Sequence, residues 1–244
     1  MINTGSIIAI IPARSMSKGV RNKNIVKIKG KELVSYSICC ALKSKLIDRV
    51  IVSTDSKKYA KIALKHGADV PFLRPKNISS DKSTDISFFI HALDWLKNNE
   101  NVIPKIFVHL RPTTPFRNPK VIDKAINEFL KGKYSALRSC HVMSESSYKT
   151  FEIKKKKLVM LCSNNNNIEL ANRNRQLFPT TYNANGYIDI IKPELILEKN
   201  MIHGNNVLGF ITEQVLEVDT KYDLERLEYE IKKKPVLYKR LFSK

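Results

Sequence analysis

The feature that most constrains the fold is a continuous apolar run near the start of the sequence. Residues 7–11 read Ile-Ile-Ala-Ile-Ile and are followed at once by Pro12. A run without polar alternation predicts a strand buried on both faces, which is typical of a parallel sheet between two layers of helices. The run is too short for a membrane span or for the core of a signal peptide. We therefore expect it to be the first strand of an α/β core.

Strand-like and helix-like segments alternate along most of the 244 residues. Helical periodicity at residues 32–43 and 57–66 brackets a strand-like segment at 49–54. The pattern continues with predicted helices at 84–98, 119–131 and 222–234 and predicted strands at 106–110, 186–191 and 207–211. This alternation predicts an α/β fold with a doubly wound, mostly parallel sheet, in a single domain covering residues 1–244.

The alternation is interrupted at about residues 135–179. This stretch is basic and rich in turn-forming residues, with four lysines at 154–157 and four asparagines at 164–167. Such short low-complexity runs offer no apolar face for a packed core. We predict an inserted hairpin or arm here.

The formal net charge of +20 favours negatively charged partners. Charge alone leaves nucleic acid, an anionic membrane surface and phosphorylated or acidic small molecules open. Lysine runs are usually solvated surface, and the sequence has no RNP, KH, zinc-binding or helix-turn-helix signature, so nucleic-acid binding is the less favoured class. We expect neither nucleic acid nor a membrane as a partner. The four cysteines have no CxxC or disulfide-scaffold spacing, which fits a reducing cytoplasm.

The loop after the first strand holds a cluster of cations. Residues 10–24 read IIPARSMSKGVRNKN. Open α/β sheets bind ligands just beyond the carboxyl ends of their strands, and Arg14, Lys18 and Lys23 in such a loop suit a polyphosphate. Neither GxxxxGK[ST] nor GxGxxG is present, which argues against a P-loop NTPase and a Rossmann dehydrogenase.

An acidic pair precedes the last predicted helix. Glu217 and Asp219 stand one residue apart, so their side chains share a face if the segment is extended. Two carboxylates on one face can hold Mg²⁺, which keeps water molecules and bridges to substrate phosphates. We predict Asp219 as a metal ligand with Glu217 beside it, and Asp223 as a residue that caps or charges the start of the helix.

The sequence resembles the acylneuraminate cytidylyltransferases, the CMP-sialic acid synthetases. The resemblance spans Ile7 to about Leu227, and it is specific because five motifs occur in the family's order. They are the loop at 10–24, the segments at 53–56 and 72–85, the FVHLRPTTPFR loop at 107–117, the RNRQLFPTTYNANGYIDI segment at 173–190 and the VLEVDTKYDLE segment at 215–225.

The resemblance implies a role for each matched residue. The catalytic set would be Arg14, Lys18, Lys23 and Asp219. The nucleotide would be bound by Ala13, Arg14, Ser17, Lys18, Asn24, Arg74, Ser80 and Asp81. The sugar acid would be bound by Arg111, Thr113, Thr114, Arg175, Gln176 and Asn185. Mg²⁺ would be held by Glu217 and Asp219.

The resemblance also implies the reaction and the assembly. The anomeric hydroxyl of a nonulosonic acid, of sialic or legionaminic type, would attack the α-phosphate of CTP and release pyrophosphate. Phosphoryl transfer depends mainly on positioning and charge stabilisation, which cations and Mg²⁺ supply. The fold would be that of the nucleotidyltransferases, and the inserted arm would join two copies into a homodimer and reach toward the partner's sugar site.

Several residues depart from the family pattern. Ser15 and Met16 stand where the family has two glycines, and this bears on how closely the backbone approaches the phosphates. Arg111 replaces a glutamine that contacts the sugar in sialic acid enzymes, a pattern associated with legionaminic-type relatives. Asn185 and Gly186 also predict a tight hairpin turn. A transferase acting on Kdo, pseudaminic acid or a sugar 1-phosphate remains an alternative, as does an inactive scaffold of the same fold.

Overall fold

The computed structural model describes residues 4–16, 19–162 and 167–243. The strands in these ranges are β1 (Ile7–Pro12), β2 (Lys27–Ile28), β3 (Lys31–Glu32), β4 (Arg49–Ser53), β5 (Ile106–His109), β6 (Ala136–Val142), β7 (Phe151–Lys154), β8 (Lys157–Met160), β9 (Tyr182–Ile191) and β10 (Val207–Ile211). The α-helices are α1 (Leu33–Leu42), α2 (Lys57–Lys65), α3 (Asp85–Trp95), α4 (Pro119–Lys131), α5 (Pro193–Lys199), α6 (Lys221–Lys233) and α7 (Pro235–Phe242).

The central sheet has six strands in the order β10-β6-β9-β5-β1-β4. β1 pairs in parallel with β4 on one side and with β5 on the other, and β10 pairs in parallel with β6. β9 is antiparallel to both of its neighbours, β5 and β6. The prediction of an α/β fold with a mostly parallel sheet is confirmed.

Helices cover both faces of the sheet. In β1, Ile8 and Ile10 belong to one apolar cluster with residues of α3 and α5. Ile7, Ala9 and Ile11 belong to a second cluster, with residues of α1, α2, α4, α6 and α7. Because successive residues of a strand point to opposite faces, a strand between two helical layers needs an apolar residue at every position. This is why the N-terminal run has no polar alternation.

The predicted helices lie close to their observed bounds, with one irregular ending. α3 stops at Trp95 and continues as a π-helical turn, Leu96–Glu100, which ends at Asn101 with a φ of 57°. The sequence pattern does not predict the short helices α5 and α7 or the β2–β3 hairpin. Within the described ranges, no helix combines the length and the apolar character that a membrane crossing requires.

The irregular segment begins later than the sequence pattern predicts. β6 lies in the central sheet between β10 and β9, so the predicted start of the arm at residue 135 is wrong. Only Ala136 and Leu137 give β6 an apolar signature, because Ser139 is buried as a hydrogen-bond acceptor for the Ile188 N–H and the following residues are polar or partly exposed. A polar strand of this kind has no apolar period to detect.

The arm itself contains a β-hairpin formed by β7 and β8. The turn consists of Lys155 and Lys156, whose φ angles are 50° and 66°. A two-residue loop with both φ angles positive matches the right-handed twist of the strands it joins. The lysine run therefore forms the turn of the hairpin. Residues 164–166 of the asparagine run lie outside the described ranges.

Candidate active site

A cleft of about 660 Å³ lies at the carboxyl ends of β1 and β5. Its walls come from the loop after β1, the segment before α3 and the loop after β5, with Asp219 contributed from just before α6. This is the edge at which open α/β sheets bind ligands. The cleft brings together many of the sequence-predicted site residues, namely Arg14, Lys23, Asn24, Arg74, Ser80, Asp81, Arg111, Thr113 and Asp219.

The loop after β1 is folded so that Arg14 faces the cleft. The Ala13 N–H donates to the carbonyl of Ser53 at 2.9 Å, and the Asn24 amide donates to the carbonyl of Arg14 at 3.0 Å. The Arg14 guanidinium then pairs with Asp81 across the cleft at 2.6 Å. Ala13 is buried beneath this loop and does not line the cleft. The predicted phosphate ligands Ser17 and Lys18 lie outside the described residues.

Ser15 has a partner at the end of β4. The Asp55 carboxylate accepts hydrogen bonds from the Ser15 N–H at 2.8 Å and from its hydroxyl at 2.7 Å. The Tyr59 hydroxyl donates to the carbonyl of Ser15 at 3.4 Å. Glycine could not make the hydroxyl contact. The departure from the family pattern therefore gives the loop an additional anchor to the segment before α2.

Gly19 allows the cation-rich loop to pass close to the acidic segment before α6. A Cβ atom placed on Gly19 would lie 2.4 Å from the backbone carbonyl oxygen of Asp219. Real Cβ atoms do not approach a backbone oxygen so closely, so any other residue here would force the two segments apart. The separation of the two segments is thus set by the absence of a side chain.

The acidic segment places Asp219 beside Lys23 and Glu217 beside Thr113. The Lys23 ammonium lies 2.8 Å from Oδ1 of Asp219, whose side chain is 67% exposed. Val218 is buried and its N–H donates to the carbonyl of Thr113, so Glu217 and Asp219 flank a residue that is fixed to the core. The Thr113 hydroxyl donates to Glu217 at 3.2 Å. Glu217 lies beside the cleft but does not line it.

This pair of carboxylates fits the chemistry of Mg²⁺. The ion takes one or two carboxylates from a protein and completes its octahedron with water and substrate phosphates. Across the described ranges, no group of three or more His, Cys, Asp or Glu side chains converges as a metal site. A Mg²⁺ ion held by Glu217 and Asp219 would therefore complete its octahedron with water and substrate oxygens. Asp223 forms a capping box with Thr220 at the start of α6, as predicted.

Arg74 supplies a buried positive charge to the cleft. Its side chain donates to the hydroxyl of Ser53 at 3.1 Å and to the carbonyl of Ser53 at 2.7 Å, and its guanidinium lies 5.0 Å from the ring centre of Phe88. Burial lowers the pKa of Arg74 to about 10, which still leaves it charged at neutral pH. A cation buried in low dielectric favours an anionic ligand more strongly than an exposed one.

Arg111 lies between two carboxylates. Its Nη2 is 2.8 Å from Asp85 Oδ2 and 3.6 Å from Asp189 Oδ2. Asp189 is also close to His109 at 3.6 Å and to Arg138 at 3.9 Å. Burial works to raise the pKa of Asp189, but His109, Arg111 and Arg138 outweigh it, so the pKa is lowered. Asp189 is therefore a buried, ionised carboxylate beneath Arg111.

The organising residue of the loop after β5 is Arg117, which the sequence analysis did not single out. It is 1% exposed, and burial lowers its pKa to about 10. Its donors serve five oxygens, which are the carbonyls of Arg111, Thr114, Gly186 and Tyr187 and the hydroxyl of Ser37. Arg117 thereby joins this loop to β9 and to α1. It lies within the quoted FVHLRPTTPFR segment, but its burial could not be inferred from the motif.

Asn185 and Gly186 form a bulge within β9, and the predicted hairpin turn is wrong. The β6–β9 register shifts between Arg138 and Cys140, which leaves residues 185–188 of β9 opposite Ser139. Gly186 has a φ of 61°, and a Cβ there would lie 3.2 Å from the Thr114 hydroxyl. The Asn185 amide donates to the hydroxyl of Thr212 at 2.7 Å and accepts from the Tyr187 N–H. Asn185 and Thr114 thus lie behind the cleft wall, whereas the bulge brings the β9 backbone against the loop after β5.

Arg175 and Gln176 lie in the arm and do not line the cleft. They border a separate depression with Met143, Phe178 and Thr181. The Arg175 guanidinium donates to the carbonyl of Met143 at 2.8 Å. Their predicted role in sugar binding would require the arm of another copy or a movement of this one.

Three residues of the cleft wall were missed at the start of α3. Thr84, Asp85 and Phe88 all line the cleft. Asp85 ends the quoted segment at 72–85, so an acid in the first turn of a helix facing the site was the available signal. Phe88 shows no polar signal and reads as an ordinary core residue.

The chain matches a family model described as cytidylyltransferase over residues 8–240. This match covers nearly the whole fold, including every segment that forms the cleft. The chain belongs to the cytidylyltransferase family. It is accordingly a nucleotidyltransferase, as predicted.

Two relatives illustrate the match at the level of sequence. The chain is 35% identical to an N-acylneuraminate cytidylyltransferase of Escherichia coli O18:K1:H7, over 90% of this chain and 50% of that protein. It therefore spans about half the length of that relative. It is 31% identical to a CMP-N,N'-diacetyllegionaminic acid synthase of Campylobacter jejuni, over 91% of this chain and 94% of that protein.

A solved structure shows the same fold at low sequence identity. The chain superposes with a TM-score of 0.71 on a CMP:2-keto-3-deoxy-manno-octonic acid synthetase complexed with CTP, with 14% identity, 94% of this chain and 99% of that chain covered. The doubly wound cytidylyltransferase sheet is therefore shared, although the sequences have diverged. The roles of the individual cleft residues of this chain remain predictions.

Proposed function

We propose that this chain transfers CMP from CTP to the anomeric hydroxyl of a nonulosonic acid of the sialic or legionaminic type. The hydroxyl oxygen forms a bond to the α-phosphorus of CTP. The bond from that phosphorus to the oxygen bridging the α- and β-phosphates breaks, and pyrophosphate leaves with the electron pair. The proton of the hydroxyl passes to solvent water.

The observation that carries this proposal is the convergence of Arg14, Lys23 and Asp219 in one cleft of a cytidylyltransferase fold. The positive charges of Arg14 and Lys23 suit a triphosphate. The exposed carboxylate of Asp219 suits the Mg²⁺ ion that accompanies such a nucleotide. Relatives of this chain are named for N-acylneuraminate, diacetyllegionaminic acid and pseudaminic acid. All three acceptors are nonulosonic acids, which supports the same class of substrate here.

The cleft cations would stabilise the charge that develops on the phosphates. Phosphoryl transfer places negative charge on the equatorial and leaving oxygens, and fixed cations offset it without reorganising at the moment of reaction. Arg14 would reach one phosphate from the loop after β1. Arg74 would act from the back of the cleft, where its burial strengthens its field. Lys18, which lies outside the described residues, would join them by resemblance.

Asp219, with Glu217 beside it, would hold Mg²⁺ when the nucleotide binds. The ion would neutralise phosphate oxygens and align the α-phosphate for attack. Lys23 pairs with Asp219 Oδ1 at 2.8 Å, so an ammonium group already neighbours the oxygen that would ligate the metal. On metal binding, the Lys23 ammonium would be released from Asp219 and become available to the triphosphate. Lys23 would therefore exchange Asp219 for the triphosphate as its ion-pair partner.

We also propose that the chain forms a homodimer through its arm. A second proposal is that it functions in a reducing cytoplasm. Arg175 and Gln176 lie on the arm and away from the cleft of their own chain, which supports delivery to a partner's site. All four cysteines are free, in line with a reducing compartment. Sedimentation analysis of the purified chain and of a variant lacking residues 151–160 tests the dimer. A monomeric full-length chain would contradict it.

The reaction is tested by measuring pyrophosphate release with Mg²⁺, CTP and a panel of sialic, legionaminic, pseudaminic and Kdo acids. ATP, GTP and UTP replace CTP as controls. We expect turnover with CTP and one of the nonulosonic acids. Absence of turnover with every pair of substrates would refute the proposal.

The metal role is tested with a matched pair of substitutions. Asp219→Asn should reduce kcat by about 100-fold, because the neutral amide is a poor magnesium ligand. Asp94→Asn makes the same chemical change on an exposed face of α3 and should leave kcat within about twofold of the wild type. Equal kcat values for the two variants would exclude Asp219 as a ligand.

A further inference from the structure

Arg111 has two acid partners that differ in their freedom to move. Both contact the same atom, Nη2, Asp85 at 2.8 Å and Asp189 at 3.6 Å. The Asp85 side chain is 45% exposed and the Asp189 side chain is 4% exposed. An exposed carboxylate in the first turn of a helix can rotate into water, whereas a buried one cannot.

The position of Asp189 is fixed by the register of three neighbouring strands. It is the residue directly opposite His109 on β5 and directly opposite Arg138 on β6. One carboxylate oxygen faces His109 and Arg111, and the other faces Arg138. The neighbouring bulge at residues 185–188 ends just before it. Asp189 is thus held by the sheet itself rather than by a loop.

Among the three ion-pair partners of Asp189 in the described ranges, Arg111 is the one that lines the cleft. The His109 ring packs edge-on against Phe88 at 5.6 Å and Phe89 at 5.4 Å, which closes that side with apolar atoms. Arg138 does not line the cleft, and Arg111 does. Arg111 is therefore the ion-pair partner through which this buried carboxylate can act on a ligand in the cleft.

We propose that Asp189 is a positioning residue that fixes Arg111 for the sugar acid, and that Asp85 is a placeholder that the sugar acid displaces. The inference rests on the proposed function and extends it to two carboxylates for which neither the motifs nor the comparisons indicate a role. An oxygen of the incoming sugar acid takes the place of Asp85 on Nη2. Asp189 stays in contact with Arg111 throughout, so the guanidinium is oriented both before and after the exchange.

The two acids should consequently have opposite effects when they are neutralised. Loss of the Asp189 charge frees Arg111 to rotate, and the sugar acid then has to order it on binding. Loss of the Asp85 charge removes a competitor for the same donor. A carboxylate that only stabilised the fold would affect both substrates alike.

The test is steady-state kinetics of Asp189→Asn and Asp85→Asn with CTP and the accepted sugar acid. Asp189→Asn should raise the KM for the sugar acid about tenfold, with the KM for CTP unchanged, because only the ordering of Arg111 is lost. Asp85→Asn should leave the sugar KM unchanged or lower it. A rise in the sugar KM for both variants would overturn the placeholder role of Asp85.

A double-mutant cycle separates positioning from a general structural effect. In an Arg111→Gln background, Asp189→Asn should produce no further rise in the sugar KM, because the residue through which it acts is absent. The same rise in both backgrounds would overturn the proposal. Asp94→Asn serves as the matched control for removal of one carboxylate.

A folding defect is distinguished from a loss of Arg111 positioning by a second substitution, Asp189→Glu, and by thermal melting curves of the variants. Asp189→Glu keeps the buried charge beside His109 and Arg138 and should restore most of the sugar affinity lost in Asp189→Asn. If the asparagine variant does not fold, Asp189→Glu is measured on its own, and a sugar KM that rises about tenfold although the buried charge is kept overturns the proposal. Failure of the proposed function would appear separately, as no turnover by the wild type with any acid.

Discussion

Substitution of Gly19 by alanine tests whether the distance between the cation-rich loop and the acidic segment controls catalysis. The new Cβ would lie 2.4 Å from the Asp219 carbonyl oxygen, about 1 Å closer than an ordinary contact. The oxygen belongs to the backbone, so no side-chain rotation relieves the clash. The two segments must separate by about that distance, which moves Asp219 relative to Lys23 and Arg14.

The magnitude follows from the precision that phosphoryl transfer requires. A displacement of about 1 Å in a positioned group costs about 100-fold in rate, which corresponds to about 2.7 kcal/mol in the barrier. We therefore expect Gly19→Ala to reduce kcat/KM in the pyrophosphate-release assay by about 100-fold. The fold should survive, because overpacking of this kind typically costs about 1–3 kcal/mol.

Gly209→Ala is the matched control. Its Cβ would meet no atom within 4 Å, and its backbone conformation is one that alanine adopts readily. Its kcat/KM should stay within about twofold of the wild type. If Gly19→Ala also stays within threefold of the wild type, with both variants folded by circular dichroism, the close approach of the two segments has no role in the reaction.

Three further substitutions test the stability of the fold. Arg117→Lys should lower the free energy of unfolding by about 3 kcal/mol in urea titrations, because lysine cannot serve the oxygens that Arg117 contacts. Thr220→Ala should cost about 1 kcal/mol in the same assay through loss of the α6 capping box, and an unchanged midpoint would contradict this. Burial lowers the pKa of His91 below its ordinary value of 6.5, so the unfolded state binds more protons and stability falls as pH drops below 6.5. His91→Gln should lose less stability than the wild type between pH 7.5 and pH 5 in urea titrations, and parallel losses would refute the assignment.

The parts of the fold that the sequence reveals are those in which burial demands a repeated residue type. β1 and β5 are apolar at nearly every position because helices cover both of their faces. β6 escapes detection because its burial depends on hydrogen bonding by Ser139 and on pairing with β9 rather than on apolar side chains. The antiparallel pairing of β9 with β5 and β6 likewise has no signature in the local residue pattern.

The residues of the site likewise fall into those that the sequence predicts and those that it does not. Arg14 and Lys23 could be predicted because they lie in a strand-end loop, and the ends of parallel strands meet at one edge of the sheet. Asp81 could be predicted because the segment at 72–85 resembles a family motif. Asp189 and Arg117 could not, because their roles depend on which residues the register and the loop closure place opposite them. Asn185 and Gly186 show that turn propensity alone does not predict the local structure. The pair favours a hairpin turn in isolation, but here both flanks continue to pair with β6, and the positive φ of Gly186 forms a bulge.

The distribution of charge explains why the net charge is a poor guide to this site. Among the described residues that line the cleft there are four cationic side chains and three carboxylates, so most of the +20 lies elsewhere on the molecule. Arg14, Lys23 and Arg111 are each paired with a cleft carboxylate within 2.8 Å. A triphosphate entering such a cleft replaces existing ion pairs and gains little from long-range attraction. Under the proposed magnesium role, an ion on Asp219 would change this balance, because it would leave Lys23 to the phosphates and add its own two charges. Nucleotide affinity should therefore depend more steeply on Mg²⁺ concentration than on ionic strength.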